Sequence, residues 1–421
     1  MTDLFGGAVS LSVDGSRLAV GAEANDGSGS NSGHVRVFDW DAGAGAWAQV
    51  GPDIDGTAAG DRFGVSVNLS ADGSRLAVGG TRNDGNGTDA GHVRVFDWDA
   101  SSSLWVQAGL DIYGEAAGDR FGEAVSLSAD GLRLAAGATL NSGTGLTEGH
   151  VRVFDWNAGA WVQAGADING EGSGDRFGGA VSLSSDGLRL AVGASANDDN
   201  GADAGHVRVF DWDGVAWVQA GADINGEGSG DQFGTSVSLS ADGLRLAVGA
   251  LANDGNGTDA GHVRVLDWNA GSSTWVQLGA DIDGEAEGDH FGEALSLSAD
   301  GLRLAVGATL NDGSDANSGQ VRVYEWDAGA GAWVQISQDI DGEAGNDWFG
   351  GKGSVSLSRD GSRLAAGAPQ NGGNGALAGH VQVLQPAGDF LAALRLSRCR
   401  LRTSALPPDS AEHPRAPQPS Y

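Results

Sequence analysis

The sequence predicts an all-β fold, a seven-bladed β-propeller of four-stranded antiparallel blades. A Phe-Gly pair recurs at intervals of 56 or 58 residues, and each interval contains alternating apolar and polar segments typical of strands. The seven copies begin at Phe5, Phe63, Phe121, Phe177, Phe233, Phe291 and Phe349. Four-stranded units that cannot bury both faces alone stack around an axis, which favours a propeller over a linear solenoid with shorter coils.

The second repeat shows how each element follows from its residues. Residues 65–70 alternate apolar and polar side chains, which is the period-two pattern of a strand. Ala-Asp-Gly at 71–73 predicts a tight turn, because Asp and Gly tolerate positive φ. Residues 75–79 and 92–98 are predicted as the second and third strands, and residues 105–109 as the fourth.

The tryptophans support the hairpin between the third and fourth strands. Two tryptophans flank this turn, seven residues apart in four repeats and five apart in two. A two-residue difference keeps every side chain on its own face of the sheet, whereas a one-residue difference would reverse the faces. The pairs are Trp40 and Trp47, Trp98 and Trp105, Trp156 and Trp161, Trp212 and Trp217, Trp268 and Trp275, and Trp326 and Trp333.

The chain divides into a seven-repeat propeller, residues 1–385, and a Pro- and Arg-rich tail, residues 386–421, which we expect to be disordered. The seventh repeat ends after its third strand, so 27 of 28 strands are recognisable. The missing strand is expected either upstream of Met1, in a longer native chain, or in residues 390–396 of the tail.

Composition excludes several classes of partner. A formal net charge of −32 opposes binding to nucleic acid and to anionic membranes. Cys399 is the single cysteine, so an intrachain disulfide is excluded. We find no apolar run near the ~20 residues of a membrane span, and no secretory signal at the start of this sequence.

The repeat resembles the FG-GAP repeat of integrin α-subunit heads and related surface propellers. Phe63-Gly is followed by a strand, a turn and Gly79-Gly80, and the two markers lie sixteen residues apart. The literal form occurs once, as Phe349-Gly and Gly367-Ala-Pro369. The resemblance implies a seven-bladed fold at a cell surface or outside the cell, present as a monomer or as one module of a longer chain.

The resemblance also implies that the loops between the second and third strands, and those between the fourth strand and the next blade, line a partner-binding face. Here those loops are acidic, and we expect them to contact a protein or glycan ligand. The candidate binding residues are Asp84, Asn86, Asp89, Asp254, Asn256 and Asp259. The family's calcium loop, Asp-x-Asp-x-Asp-Gly, is absent, because the corresponding hairpin is only Ser-Ala-Asp-Gly.

The loop that returns the chain to the next blade offers an alternative calcium site. Its carboxylates fall at offsets one, three, five and nine, which resembles a calcium-loop ligand pattern. The candidate ligands are Asp281, Asp283, Glu285, Asp289, Asp339, Asp341, Glu343 and Asp347. The competing interpretation is an acidic loop whose carboxylates accept hydrogen bonds from nearby backbone amides.

The remaining motifs argue against catalysis. Histidine recurs before the third strand, which places the copies on separate blades and not in one metal centre. The non-repeated residues are His290, Trp348 and Lys352, the last being the single lysine of the chain. We therefore predict a non-enzymatic, adhesion-type binding propeller without a required cofactor. The alternatives are a calcium-dependent binding propeller and a propeller glycan hydrolase or lyase that uses His290 or Lys352.

Overall fold

The computed structural model describes residues 3–143, 146–373 and 375–384, and these form strands and turns without a helix. Seven antiparallel sheets follow one another along the chain, which confirms the predicted seven-bladed propeller. Blade 1 contains β1 Ala8–Leu11, β2 Arg17–Ala22, β3 His34–Asp41, β4 Ala46–Gln49 and β5 Ile54–Asp55. Blade 2 contains β6 Phe63–Leu69, β7 Arg75–Gly80, β8 His92–Asp99, β9 Leu104–Gln107 and β10 Ile112–Tyr113.

The next four blades repeat this order of strands. Blade 3 contains β11 Val125–Leu127, β12 Arg133–Ala138, β13 His150–Asn157, β14 Ala160–Gln163 and β15 Ile168–Asn169. Blade 4 contains β16 Ala180–Leu183, β17 Arg189–Ala194, β18 His206–Trp212, β19 Trp217–Gln219 and β20 Ile224–Asn225. Blade 5 contains β21 Phe233–Leu239, β22 Arg245–Ala250, β23 His262–Asn269, β24 Thr274–Gln277 and β25 Ile282–Asp283. Blade 6 contains β26 Phe291–Leu297, β27 Arg303–Ala308, β28 Gln320–Asp327, β29 Ala332–Gln335 and β30 Ile340–Asp341.

Blade 7 is described through its third strand: β31 Val355–Leu357, β32 Leu364–Ala368 and β33 His380–Leu384. The predicted substitute strand in residues 390–396 and the predicted disordered tail lie outside the described residues. In the first six blades the fourth strand is broken into two segments that both pair with the third strand. In blade 1, for example, β4 pairs with the far end of β3, and β5 pairs with its beginning at His34 and Val35.

The core lies between blades, because each Phe of the Phe-Gly pairs packs against the preceding blade. Phe63 is fully buried and contacts Val35 and Val37 of blade 1 together with Leu76 and Phe96 of its own blade. Large apolar side chains in this position remove apolar surface of both neighbouring blades from water. This burial is the main favourable contribution to the free energy of folding. Each blade therefore depends on its neighbours for its core.

The two glycine markers of the repeat meet across the blade interface. A Cβ atom added to Gly193 in strand β17 would lie 2.0 Å from the carbonyl oxygen of Gly234, which opens the next blade at φ +92°. The same contact closes the circle, since a Cβ on Gly367 of blade 7 would lie 2.0 Å from the oxygen of Gly6. The paired glycines thus set the distance between neighbouring blades.

Hydrogen bonds also form closed circles around the central channel. The leucine N–H of each inner strand donates to a Ser or Asn side chain of the preceding inner strand, over 2.8–3.1 Å. The acceptors are Ser10, Asn68, Ser126, Ser182, Ser238, Ser296 and Ser356. At the hairpin-turn end, seven backbone N–H···O=C bonds of 2.8–2.9 Å run from Val13 around to Arg359 and back.

Replacing Ser126 by Ala should lower the free energy of unfolding by about 1 kcal/mol, because the Leu183 N–H loses its acceptor inside the channel. Asn68→Ser is the matched control, since serine holds this position in the other six blades, and it should leave stability nearly unchanged. Urea unfolding followed by tryptophan fluorescence measures both variants. Equal stability of Ser126→Ala and the parent chain would contradict a stabilising role for the circle.

Candidate active site

The channel end opposite the hairpin turns brings together charged residues from blades that are not neighbours. Glu123 comes directly after a Phe-Gly pair in blade 3, and Lys352 occupies the insertion that precedes the inner strand of blade 7. The Lys352 ammonium lies 3.2 Å from Glu123 Oε1. Blades 3 and 7 are not neighbours in the ring, so these side chains meet by reaching across the channel.

A second carboxylate lies in the same cluster. Glu23 follows strand β2 of blade 1, and its Oε1 is 3.9 Å from Nη1 of Arg62. Burial raises the pKa of Glu23, the charges of Arg62 and Arg82 offset part of that rise, and the charge of Glu123 adds to it. A half-buried glutamate with a raised pKa has the character of a general base that works near neutral pH.

Glu123 has the opposite electrostatic environment. Burial alone would raise the pKa of its carboxyl, but the Lys352 ammonium and the Thr139 hydroxyl, which donates to Oε2 over 2.6 Å, outweigh burial and lower it. Arg120 adds a further positive charge nearby. Two carboxylates whose pKa values are moved apart in one site are a typical acid–base arrangement.

The equivalent position in blade 6 shows how specific this cluster is. Glu293 follows its Phe-Gly pair as Glu123 does, but Thr309, the counterpart of Thr139, has a buried hydroxyl without a hydrogen-bond partner among the described residues. Of the predicted irregular residues, Lys352 enters the cluster. His290 and Trp348 occupy the positive-φ position before Phe, which Arg62 and Arg120 hold in blades 2 and 3. The pattern of a single repeat cannot reveal this site, because its residues come from different blades.

The predicted binding loops use their polar groups internally. Asn86 donates to the carbonyl oxygens of Gly114 and Glu115, and Asp84 accepts from the Asp89 N–H at 2.9 Å. Asp254, Asn256 and Asp259 repeat these bonds in blade 5. Ligand binding by these six residues stays a prediction.

The predicted calcium ligands are divided among separate partners. Asp289 and Asp347 accept from amides of their own loops and from asparagines of the next blade, 2.8–3.1 Å away. Asp281 and Asp339 accept from glutamines at 2.7 Å, and Glu285 pairs with Arg322 at 3.5 Å. Asp341 accepts a bond of 3.3 Å from Gln320, while Asp283 and Glu343 border the same return loops. Calcium binding stays a prediction.

The recurring histidines have an environment that the sequence did not indicate. Each stays on its own blade, as expected, but three of them meet carboxylates from the two return loops beside them, with ligand atoms within 4.8 Å of one another. The groups are Glu115, His150 and Asp167; Glu171, Asp199, His206 and Asp223; and Glu227, His262 and Asp281. Burial lowers the pKa of His150 to about 4, so this imidazole is neutral.

Comparison with known proteins supports the fold and the repeat. The model of the FG-GAP repeat family matches residues 169–210 and 225–266, and none of the curated protein sequences matches the chain significantly. A protein assigned as a 6-phosphogluconolactonase from Bacteroides uniformis is 14% identical with a TM-score of 0.54, over 80% of this chain and 85% of that chain. A second protein assigned as a 6-phosphogluconolactonase, from Bacteroides fragilis, is 15% identical with a TM-score of 0.53, over 80% of this chain and 84% of that chain.

The periplasmic gluconolactonase of Pseudomonas aeruginosa is a third similar structure. It is 19% identical with a TM-score of 0.53, over 80% of this chain and 85% of that chain. Identities this low establish a shared fold alone, and these three propellers are assigned as lactonases. Our prediction of a non-enzymatic, adhesion-type propeller was therefore wrong. It rested on finding no nucleophile, base and orienting group outside the repeated pattern, in which His290, Trp348 and Lys352 are the exceptions.

Among the described residues, no helix has the length and apolar character needed to cross a bilayer. The matched segments lie in blades 3–5, and the same Phe-Gly and Gly contacts recur at every blade interface. The chain is thus a seven-bladed β-propeller that carries FG-GAP repeats.

Proposed function

We propose that the chain is a hydrolase that opens cyclic esters at the channel end formed by Glu23, Glu123 and Lys352. The contact between Lys352 and Glu123 across the channel carries this proposal, because it places the single lysine of the chain beside a carboxylate of a distant blade. The lactonase assignments of propellers with the same fold supply the reaction class.

The residues divide into two chemical roles. The Glu23 carboxylate accepts a proton from water as the water oxygen bonds to the ester carbonyl carbon. Positive charge from Arg62 and Lys352 stabilises the oxyanion of the tetrahedral intermediate. The ring C–O bond then breaks, the leaving alkoxide takes the proton back from Glu23, and the product is a hydroxy acid.

The arginines indicate the substrate class. Arg62, Arg82 and Arg120 concentrate positive charge around two carboxylates, in a protein that is strongly acidic elsewhere. Guanidinium groups bind carboxylate and phosphate oxygens well, which favours a sugar-derived lactone that carries an anionic group. An extracellular or periplasmic location fits the FG-GAP repeats and the periplasmic lactonase of the same fold.

Turnover of glucono-δ-lactone and of its 6-phosphate, followed by acid release above the uncatalysed rate, tests the proposal. Lys352→Met should reduce kcat/KM about tenfold, because one cation of the site is removed. Glu293→Gln changes the same repeat position in blade 6, whose carboxylate forms no ion pair with Lys352 among the described residues, and should keep the parent rate. A panel of lactones without acceleration by the parent chain would overturn the assignment.

A further inference from the structure

The histidine group of blade 4 differs from its copies in one respect that matters for metal binding. Asp199, in the loop between β17 and β18, joins Glu171, His206 and Asp223, and all four ligand atoms lie within 4.8 Å of one another. The corresponding loop positions in blades 3 and 5 are Gly143 and Gly255. Blade 4 therefore has four ligands where these copies have three.

His206 provides an independent sign of a ligand. Its side chain is fully buried, and neither Nδ1 nor Nε2 has a hydrogen-bond partner among the described residues. A buried polar nitrogen without a partner costs free energy that a bound cation would recover.

The formal charge of this group of side chains, and the freedom of two of them to move, also fit a divalent ion. Three carboxylates and the Arg208 guanidinium, whose Nη1 lies 3.3 Å from Glu171 Oε1, leave a local formal charge of −2. Ligand atoms around tetrahedral zinc lie about 3.4 Å apart, so the four groups need to move inward by about 1 Å. The Glu171 and Asp199 side chains are exposed and can make that movement.

We propose that Glu171, Asp199, His206 and Asp223 bind one divalent transition-metal ion of the zinc type. One imidazole with three carboxylates suits zinc or manganese better than calcium, which prefers oxygen ligands alone. Glu171 comes from the return loop of blade 3 and the other three from blade 4, so the ion ties two neighbouring blades together. This site shares no residue with the proposed hydrolytic site and does not depend on it.

Zinc titration of the chelator-treated full chain, followed by calorimetry, tests this site. The parent chain should bind one zinc ion with higher affinity than any further zinc ions. His206→Gln should lose this high-affinity binding. Glutamine holds the same position in blade 6 as Gln320, so the fold accepts it. Asp199→Gly, which copies blades 3 and 5, should weaken the tightest binding at least about tenfold.

His92→Gln is the matched control, because His92 is equally buried and without a hydrogen-bond partner at either ring nitrogen among the described residues, but has Thr57, from the return loop of blade 1, in place of the glutamate. This variant should leave the tight binding event unchanged. Cobalt supplies a second readout, since a tetrahedral site produces a visible absorption band that His206→Gln should abolish. Circular dichroism shows that each variant is folded. Equal zinc affinity and an equal cobalt spectrum in the parent chain and in folded His206→Gln would overturn the proposal.

Discussion

Glu23→Gln should reduce the rate of lactone opening by at least about 100-fold, because an amide cannot accept the proton of the attacking water. The substitution keeps the size of the side chain, so it leaves no new cavity. The rate is measured as acid release from the lactone that the parent chain opens fastest. A rate close to that of the parent would exclude Glu23 as the base.

The pH profile separates this role from a structural one. Burial raises the pKa of Glu23, so its base form appears above the pH at which an ordinary glutamate ionises. Activity of the parent chain should therefore fall as the pH falls through that raised pKa, and Glu23→Gln should lose this limb of the profile.

The contribution of Glu23 to the free energy of unfolding should change with pH in the opposite direction to the activity. A carboxyl whose pKa is raised on folding contributes stability below its unfolded pKa, and this contribution is lost as the pH rises through the folded pKa. At neutral pH the charged Glu23 is thus a cost to folding, and Glu23→Gln should be at least as stable as the parent. A large fall in melting temperature would show that the activity was lost through unfolding.

Gly193→Ala should destabilise the propeller by about 3 kcal/mol, because the new Cβ atom would lie 2.0 Å from the Gly234 carbonyl oxygen. Both atoms are attached to strands of a closed ring, so neither can move without separating blade 4 from blade 5. Thermal unfolding followed by circular dichroism should show a melting temperature lowered by several degrees.

Gly372→Ala is the control for the loss of glycine itself. A Cβ at this exposed position would lie 3.9 Å from its nearest neighbour, and its φ lies outside the positive range. Its melting temperature should match that of the parent chain. Equal melting temperatures for Gly193→Ala and Gly372→Ala would show that the blade spacing can relax.

The local pattern of each repeat is sufficient to predict most of the fold. Strand alternation and Asp-Gly turns depend on residues close together in the chain, and the Phe-Gly pairs mark each repetition of them. All three features can therefore be recognised from the sequence. The broken fourth strand was not predicted, because the short segment Ile54–Asp55 resembles a polar loop and becomes a strand by pairing with His34 and Val35.

The candidate sites depend on closure of the ring. Lys352 and Glu123 are 229 residues apart, and no spacing in the sequence relates them. His206 meets Glu171 because the return loop of one blade lies against the third strand of the next. The sequence by itself determined seven similar blades and their order. Only the tertiary structure decided which of the residues that differ between blades face one another, because circular packing brings distant blades together at the axis.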